Sequence, residues 1–147
     1  MQTRDLGAGR HLLVLDRGEE LIATITAFLK EGGIVGGSVT GIGAICDITL
    51  AYFDLEKKEY LKRTFDEVME LTSLIGTIGT VDGKPFLHAH ATACGPELIA
   101  FTGHLVKADV AVTAEVVVTD FGTELPREED EEVGLMLFRL EPKPEEE

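Results

Sequence analysis

The chain has 147 residues, of which 44% are hydrophobic and 27% charged, a composition typical of a globular protein rather than a disordered one. This length suits a single domain with one core, which we expect over residues 1–147. The formal net charge is −14, and it is still −8 without residues 125–147, which carry nine acids and three bases. Because Lys and Arg must neutralise phosphates in a DNA complex, this charge argues against direct DNA binding.

No apolar run approaches the roughly 20 residues that a membrane helix needs, and residues 1–9 lack the apolar core of a signal peptide. We therefore expect a soluble, cytoplasmic protein with no membrane partner. The two cysteines, Cys46 and Cys94, belong to no Cys-x-x-Cys pair, so we predict that both are small buried hydrophobic residues.

The first predicted elements are a strand and a helix. An apolar run, His11–Leu15, predicts a buried strand. Asp16 then offers an N-cap, with Glu19 three residues later in the position of a capping box. Apolar residues follow at helical spacing, and Gly32-Gly33 predicts the end of the helix. These apolar positions are Leu21, Ile25, Phe28 and Leu29.

The segment Gly36–Gly43 is rich in glycine but has no Gly-Lys-Ser/Thr and no Gly-x-Gly-x-x-Gly spacing. We therefore assign it to tight turns and close backbone approach rather than to phosphate binding. After it, β-branched runs alternate with turn residues, and Asp82-Gly83 is typical of a type I′ hairpin. The predicted strands are Ile45–Phe53, Glu59–Phe65, Glu70–Val81, Lys84–Ala93, Leu98–Val106, Val110–Thr119 and Val133–Leu140.

These elements predict an α+β fold in which one main helix packs on a mixed, largely antiparallel sheet. Its core is expected at about residues 10–122, with a C-terminal strand at 133–140. The acidic run 126–132 is predicted to be a solvated loop or a short polar helix, and residues 141–147 a frayed tail. The densest cation cluster lies on the second hairpin and is interrupted by acids, which is typical of a solvated edge strand. It comprises Lys57, Lys58, Lys62 and Arg63.

Three histidines carry the most concentrated chemistry. His88 and His90 alternate along a predicted strand, so their side chains point to the same face. A hairpin turning near Pro96 pairs positions whose numbers sum to about 192, which places His104 opposite His88 and diagonal to His90. Three imidazoles on one patch of sheet suit a divalent metal, above all Zn²⁺, with a fourth position open. The alternative is that hydrogen bonds satisfy the three rings in the core or at an interface.

Glu115 is the weak candidate for a catalytic residue. It interrupts the apolar run Val110–Val118, where it could orient a metal-bound histidine or act as a base with a raised pKa. The alternative is that it faces solvent or a polar subunit contact. His11 has no comparable argument, and we expect it at the surface or at an interface.

A set of short motifs, in order along roughly residues 12–121, resembles the plants-and-prokaryotes-conserved (PPC) domain. The motifs are Gly41-Ile42-Gly43, Tyr52-Phe53-Asp54, Glu70-Leu71-Thr72-Ser73-Leu74-Ile75-Gly76, Asp82-Gly83-Lys84-Pro85-Phe86-Leu87-His88-Ala89-His90, Gly103-His104-Leu105 and Glu115-Val116. The resemblance implies assembly into a homotrimer, and it implies zinc at the positions of His88, His90 and His104.

The family also carries a DNA-binding label, because in plant relatives the domain accompanies AT-hook segments. This chain has no Arg-Gly-Arg-Pro hook, and Glu67-Val68 stands where the plant sequences have Gly-Arg. Together with the net charge, these departures argue against direct DNA contact.

Three functions are consistent with these observations. The first is a trimeric, non-enzymatic protein that holds a metal on the histidine cluster and binds a small molecule or a protein partner. The second is a metal-dependent enzyme, such as a hydrolase that uses zinc-bound water with Glu115 as proton acceptor. The third is a DNA-binding protein, which rests on the family label alone.

Overall fold

The computed structural model describes residues 1–140, in which nine strands and one helix are present. The strands are β1 (Gln2–Gly7), β2 (Arg10–Asp16), β3 (Gly37–Asp54), β4 (Glu59–Phe65), β5 (Met69–Val81), β6 (Lys84–Cys94), β7 (Ala100–Asp120), β8 (Arg127–Asp130) and β9 (Leu135–Phe138). The helix, α1, is Leu21–Gly32. The predicted tail at 141–147 lies outside the described residues.

Seven strands form one sheet in the order β1-β2-β7-β6-β5-β3-β4, and β7 also pairs with β3, so that four strands close a ring of pairings. Strands β8 and β9 form a separate two-stranded sheet. All of these pairings are antiparallel, while Thr80 and Pro126 form an isolated parallel bridge. The prediction of a largely antiparallel sheet with one helix is confirmed.

The helix begins at Leu21 because Glu20 caps it. The carboxylate of Glu20 accepts hydrogen bonds from the backbone N–H groups of Ile22 (3.2 Å) and Ala23 (2.6 Å), two of the donors that a helix start leaves unpaired. The predicted N-cap at Asp16 is wrong, since Asp16 ends β2 and a turn at Gly18 (φ +88°) follows. The predicted end is confirmed, with Gly33 in the left-handed conformation (φ 65°).

The core lies between α1 and one face of the sheet. Leu21, Ile25 and Leu29 of the helix are fully buried, and α1 packs against β6 and β7. Alanines at 89, 91 and 93 alternate along β6 and are also buried, so the strand presents a small-residue surface that the helix can approach closely. Each buried leucine or isoleucine contributes about 1.5–3 kcal/mol relative to an exposed one. Because this face of β6 packs in the core, the alternate side chains of the strand point to the opposite, outer face of the sheet.

The glycine-rich segment is part of a strand, so the predicted turns are wrong and the predicted close approach is confirmed. Strand β3 begins at Gly37 and pairs with β7 along most of its length. A Cβ at Gly41 would lie 2.8 Å from the carbonyl oxygen of Glu115, closer than a side chain tolerates. Glycine is required here because two strand backbones meet with no room between them.

Several predicted boundaries hold and others do not. The second hairpin strand is confirmed at Glu59–Phe65, and positive φ at both Asp82 (50°) and Gly83 (72°) confirms the type I′ turn. The two strands predicted between residues 98 and 119 form one strand, β7, because Ala108 is buried between the outward-facing Lys107 and Asp109 and continues the alternation.

The first and last strands of the described chain differ most from the prediction. Strand β1 was not predicted, because its six residues are all exposed and carry no alternating pattern. The acidic run predicted as a loop or polar helix contains β8, which pairs with β9. Within residues 1–140, the one helix is too short to cross a membrane.

Candidate metal centre

The three histidines lie on the face of the sheet opposite to α1. Along β6 the buried residues Leu87, Ala89 and Ala91 point into the core, so the alternating His88 and His90 point to the outer face. His104 lies on the neighbouring strand β7, directly paired with His90. The strand alternation therefore brings the three side chains to one patch, as the sequence predicted.

The register within that patch differs from the prediction by two residues. His104 pairs with His90 rather than with His88, which is instead the diagonal neighbour. The connecting loop is longer than expected, because Cys94 pairs with Ala100 and five residues lie between them. Leu98 has a positive φ of 59° and donates a backbone hydrogen bond to Gly95 at 3.0 Å, so it belongs to the turn and not to the strand.

The three rings are close enough to share one ion. The ring centroid of His88 lies 5.1 Å from that of His90 and 5.3 Å from that of His104, and the His90–His104 distance is 5.6 Å. One nitrogen of each ring lies within 4.8 Å of the others. In residues 1–140, neither a cysteine nor a carboxylate joins this group, so the candidate ligand set is three imidazoles.

Two of the three rings, His88 and His104, have a lowered pKa. Burial, together with the positive charge of Arg127 and the neighbouring His104 and His90, lowers the pKa of His88 from 6.5 to about 4. Burial and His90 lower the pKa of His104. Both rings are therefore neutral at pH 7 and have a free lone pair, which is the form that coordinates a metal.

One ring nitrogen has an unmet bonding capacity. Among residues 1–140, the buried Nδ1 of His104 has no hydrogen-bond partner, whereas buried polar atoms normally have one. The His104 ring is fixed by stacking on Tyr60, with the centroids 4.8 Å apart. A metal–nitrogen bond would satisfy such an atom, so the donor set fits a bound divalent ion.

The amino-acid sequence matches the model of a known family. Residues 4–122 match the sequence model of the Plants and Prokaryotes Conserved (PCC) domain, which is the PPC domain introduced above. The chain belongs to this family. No match was found in a comparison with functionally curated proteins.

Solved structures of several prokaryotic proteins share the fold. A "putative DNA-binding protein" from Bacteroides thetaiotaomicron is 32% identical, with 94% of this chain and 96% of that chain covered and a TM-score of 0.91. A PPC protein from Pyrococcus horikoshii is 37% identical (92% and 93% covered, TM-score 0.83). A metal-containing protein from Archaeoglobus fulgidus is 38% identical (95% and 99% covered, TM-score 0.84).

In this PPC-domain protein the β8–β9 hairpin lies over the outer face of the sheet, beside the histidines. Gly79 of β5 makes room for it, since a Cβ there would lie 2.6 Å from the carbonyl oxygen of Leu125 and 2.7 Å from Cε1 of Phe138. Gly79 pairs with Phe86, and the next outward pair along the same two strands is Thr77 with His88. The hairpin base therefore adjoins the histidine cluster.

Arg127, the first residue of β8, is the functional candidate that the sequence did not reveal. Its side chain is 8% exposed and donates hydrogen bonds to Thr77 Oγ1 and to the carbonyl of Met136, both at 3.0 Å. Its guanidinium lies 3.8 Å from the ring centroid of Phe138, and burial lowers its pKa. An arginine within an acidic run is expected to be exposed to solvent. It is buried beside the histidines only because β8 packs on Gly79.

Glu115 is not part of the histidine cluster. It is exposed on β7, eleven residues beyond His104, and among residues 1–140 it does not join the group of three histidines. It lines a shallow groove with the exposed apolar residues Ile42 and Ile75. Its exposure agrees with the solvent-facing alternative, and the role of orienting a metal-bound histidine stays a prediction.

The two cysteines, His11 and the four cations of the β3–β4 hairpin lie outside the histidine cluster. Cys94 is buried and Cys46 half-buried, which is partly as predicted. His11 lies on β2 away from the cluster, with its ring edge against Phe28. The four cations predicted on a solvated edge hairpin lie on the turn before β4 and on β4 itself, an edge of the seven-stranded sheet, and all four are exposed.

Proposed function

We propose that this PPC-domain protein binds one divalent ion, Zn²⁺, through His88, His90 and His104, and acts in the cytoplasm as a homotrimer. The single observation that supports it most is the presence of three imidazoles with one nitrogen of each within 4.8 Å. A rigid pair of strands holds them, and two of the three have a lowered pKa. The name of the metal-containing relative from Archaeoglobus fulgidus agrees with such a site.

Three protein ligands leave a position on the metal open. Structural zinc is normally closed by four protein ligands, whereas an open position admits water or another ligand. Because His90 is exposed, that position is accessible from outside the single chain. We therefore propose that a small molecule or a protein partner binds there.

The proposed trimer finds support in the groove beside Glu115. Ile42, Ile75 and Val112 are 55%, 62% and 65% exposed. They lie on β3, β5 and β7, and both β5 and β7 pair with β3. Such a group of exposed apolar side chains is typical of a surface that another chain covers. Sedimentation analysis should show a mass of three chains, while a monomer at micromolar concentration would rule the trimer out.

The metal is tested with His90→Ala, because His90 is exposed and its loss should cost the metal-free protein little. Zinc at about 100 times its Kd should stabilise the wild-type protein by about 2.7 kcal/mol, and the variant should lose most of that. His11→Ala is the matched control, since His11 lies outside the cluster. Thermal unfolding with and without zinc, and metal analysis of untagged protein, give the measurements.

Two results would contradict the metal site. One is purified protein that contains no zinc and takes up none. The other is an equal stabilisation by zinc in the wild-type protein, His90→Ala and His11→Ala, which would place the ion elsewhere.

DNA binding is the competing function, because the solved relative from Bacteroides thetaiotaomicron and another from Ralstonia eutropha both carry the name "putative DNA-binding protein". The net charge of −14 opposes it, since phosphate contacts supply much of the affinity of DNA-binding proteins. We expect no binding of duplex DNA in a titration at low salt, where such contacts are strongest. Binding that weakens steeply as salt is added would overturn this expectation.

A further inference from the structure

Arg127 is a buried cation without a carboxylate partner among residues 1–140. It is 8% exposed, and both of its hydrogen-bond acceptors, Thr77 Oγ1 and the Met136 carbonyl, are neutral. Its Nε is buried and donates to no group in the described chain. Burying a charge costs free energy unless an opposite charge compensates it. A negatively charged group beside this guanidinium would therefore stabilise it.

The guanidinium lies next to the proposed metal site. It bonds to Thr77, which is the direct cross-strand partner of His88, and such partners carry side chains on the same face about 5 Å apart. The arginine and the three imidazoles therefore line one continuous surface of the sheet.

The charges at this surface do not balance. Histidine binds a metal in its neutral form, so three imidazole ligands would leave a divalent ion with its full charge of +2, and Arg127 adds a further +1 beside it. No carboxylate joins the histidine group in residues 1–140. In a protein whose net charge is −14, this is a local concentration of positive charge, and a neutral ligand would leave it uncompensated.

We propose that the ligand at the open position of the metal is a small oxyanion, a carboxylate or a phosphate group, and that Arg127 is its charge partner. This inference rests on the proposed metal site and names the chemical class of its ligand. The competing explanation is that Arg127 only holds the β8–β9 hairpin in place through its contact with Phe138. In that case its charge has no effect on what the metal binds.

The two explanations are separated by titrating Co²⁺-loaded protein with an anion and with a neutral ligand. Inorganic phosphate and acetate probe the proposed anion site, and imidazole probes the open metal position without charge. The visible absorption of Co²⁺ reports the binding of each. We expect Arg127→Met to weaken phosphate or acetate binding about tenfold or more, the effect of losing a hydrogen bond to a charged group, and to leave imidazole binding within about twofold.

Three further variants keep the test decisive. Arg127→Lys retains the charge and should retain most of the anion affinity. Arg127→Gln is a second neutral variant that can still hydrogen-bond to Thr77, in case Arg127→Met does not fold. Arg63→Met is the matched control, because Arg63 also lies over two phenylalanine rings but is exposed on the edge strand β4.

The outcomes distinguish this inference from the metal site itself. Stoichiometric Co²⁺ binding without any response to either anion overturns the anion site and leaves the metal site standing. Equal weakening of anion and imidazole binding in Arg127→Met, or equal effects of Arg63→Met, shows that Arg127 acts only through structure. Failure of the wild-type protein to take up Co²⁺ overturns both proposals.

Discussion

Two hairpins of this protein each place an arginine over two phenylalanine rings. In the β3–β4 hairpin, the guanidinium carbon of Arg63 lies 4.6 Å from the ring centroid of Phe65 and 5.0 Å from that of Phe101. In the β8–β9 hairpin, that of Arg127 lies 3.8 Å from Phe138 and 5.6 Å from Phe86. The local chemistry of the two contacts is the same, but their surroundings differ.

Arg63 lies on an edge strand and is exposed, whereas Arg127 is covered by its own hairpin and lies beside His88. A cation–π contact is worth about 0.5–1 kcal/mol at an exposed site and about 2 kcal/mol or more where water is excluded. Burial also lets the charge act on neighbouring groups, since water no longer screens it. The same contact is thus a surface feature in one hairpin and part of a site in the other.

The largest expected effect comes from separating the β8–β9 hairpin from the sheet. In Gly79→Ala the new Cβ would lie 2.6 Å from the Leu125 carbonyl oxygen and 2.7 Å from Phe138, so the hairpin must move. Overpacking of this kind costs about 1–3 kcal/mol. We expect urea unfolding to show a decrease of this size in the free energy of unfolding. Because the movement also displaces Arg127, the tenfold difference in anion affinity between Arg127 and Arg127→Met should become smaller in this background.

Gly32→Ala is the control for that substitution. Its Cβ would meet only Ile34, at 3.5 Å, and alanine is favoured over glycine within a helix by about 1 kcal/mol. The variant should be as stable as the wild-type protein or more so. A Gly79→Ala protein of unchanged stability would show that the hairpin does not depend on its contact with β5.

The second effect concerns pH, because the charge of Arg127 lowers the pKa of its titratable neighbour His88. The pKa of His88 is about 4 in the folded protein against 6.5 for an ordinary histidine, so below pH 6.5 the unfolded chain takes up the proton first. The free energy of unfolding of the metal-free protein should therefore decrease as pH falls from about 6.5 to about 4, and this contribution should be complete above 6.5.

Water around the half-buried ring reduces this contribution to about 1–2 kcal/mol. NMR titration of the His88 ring in chelator-treated protein measures the pKa directly, and urea unfolding at several pH values measures the stability. Arg127→Gln should raise the pKa of His88 only part of the way, because burial is the largest cause of the shift. A wild-type pKa near 6.5 would contradict the burial of the His88 ring.

The smallest effect is expected at the exposed hairpin. Arg63→Met should lower the free energy of unfolding by no more than about 1 kcal/mol, the value of an exposed cation–π contact, and should leave metal content unchanged. Thermal unfolding and metal analysis check both. A loss well above 1 kcal/mol would mean that the two arginines are more alike than their exposure indicates.

The sequence predicted the histidine cluster because strand alternation is local. Neighbouring positions 88 and 90 must share a face in any strand, and the third histidine needed only an antiparallel partner strand. The register was less certain, since it depends on how many residues the loop after Cys94 contains. A left-handed residue at Leu98 has no reliable sequence signal in a non-glycine residue, which explains the error of two positions.

The β8–β9 hairpin was not predicted, for a different reason. Strand β8 has two exposed residues among its four, and its acidic residues are more frequent in loops than in strands. What holds it is the space above Gly79 and the hydrogen bond from Thr80 N–H to the Leu125 carbonyl. Both involve segments more than 40 residues apart, which no pattern within either segment reveals.

By itself, the sequence determined the α+β class, the family, and the shared face of His88 and His90, because composition, motif order and strand alternation are properties of the chain alone. Only the tertiary structure decided that His104 pairs with His90, that Glu115 lies apart from the cluster, and that Arg127 lies beside it. Burial and pairing between distant segments are set by the packing of the whole domain. That packing buries the charge of Arg127 next to His88.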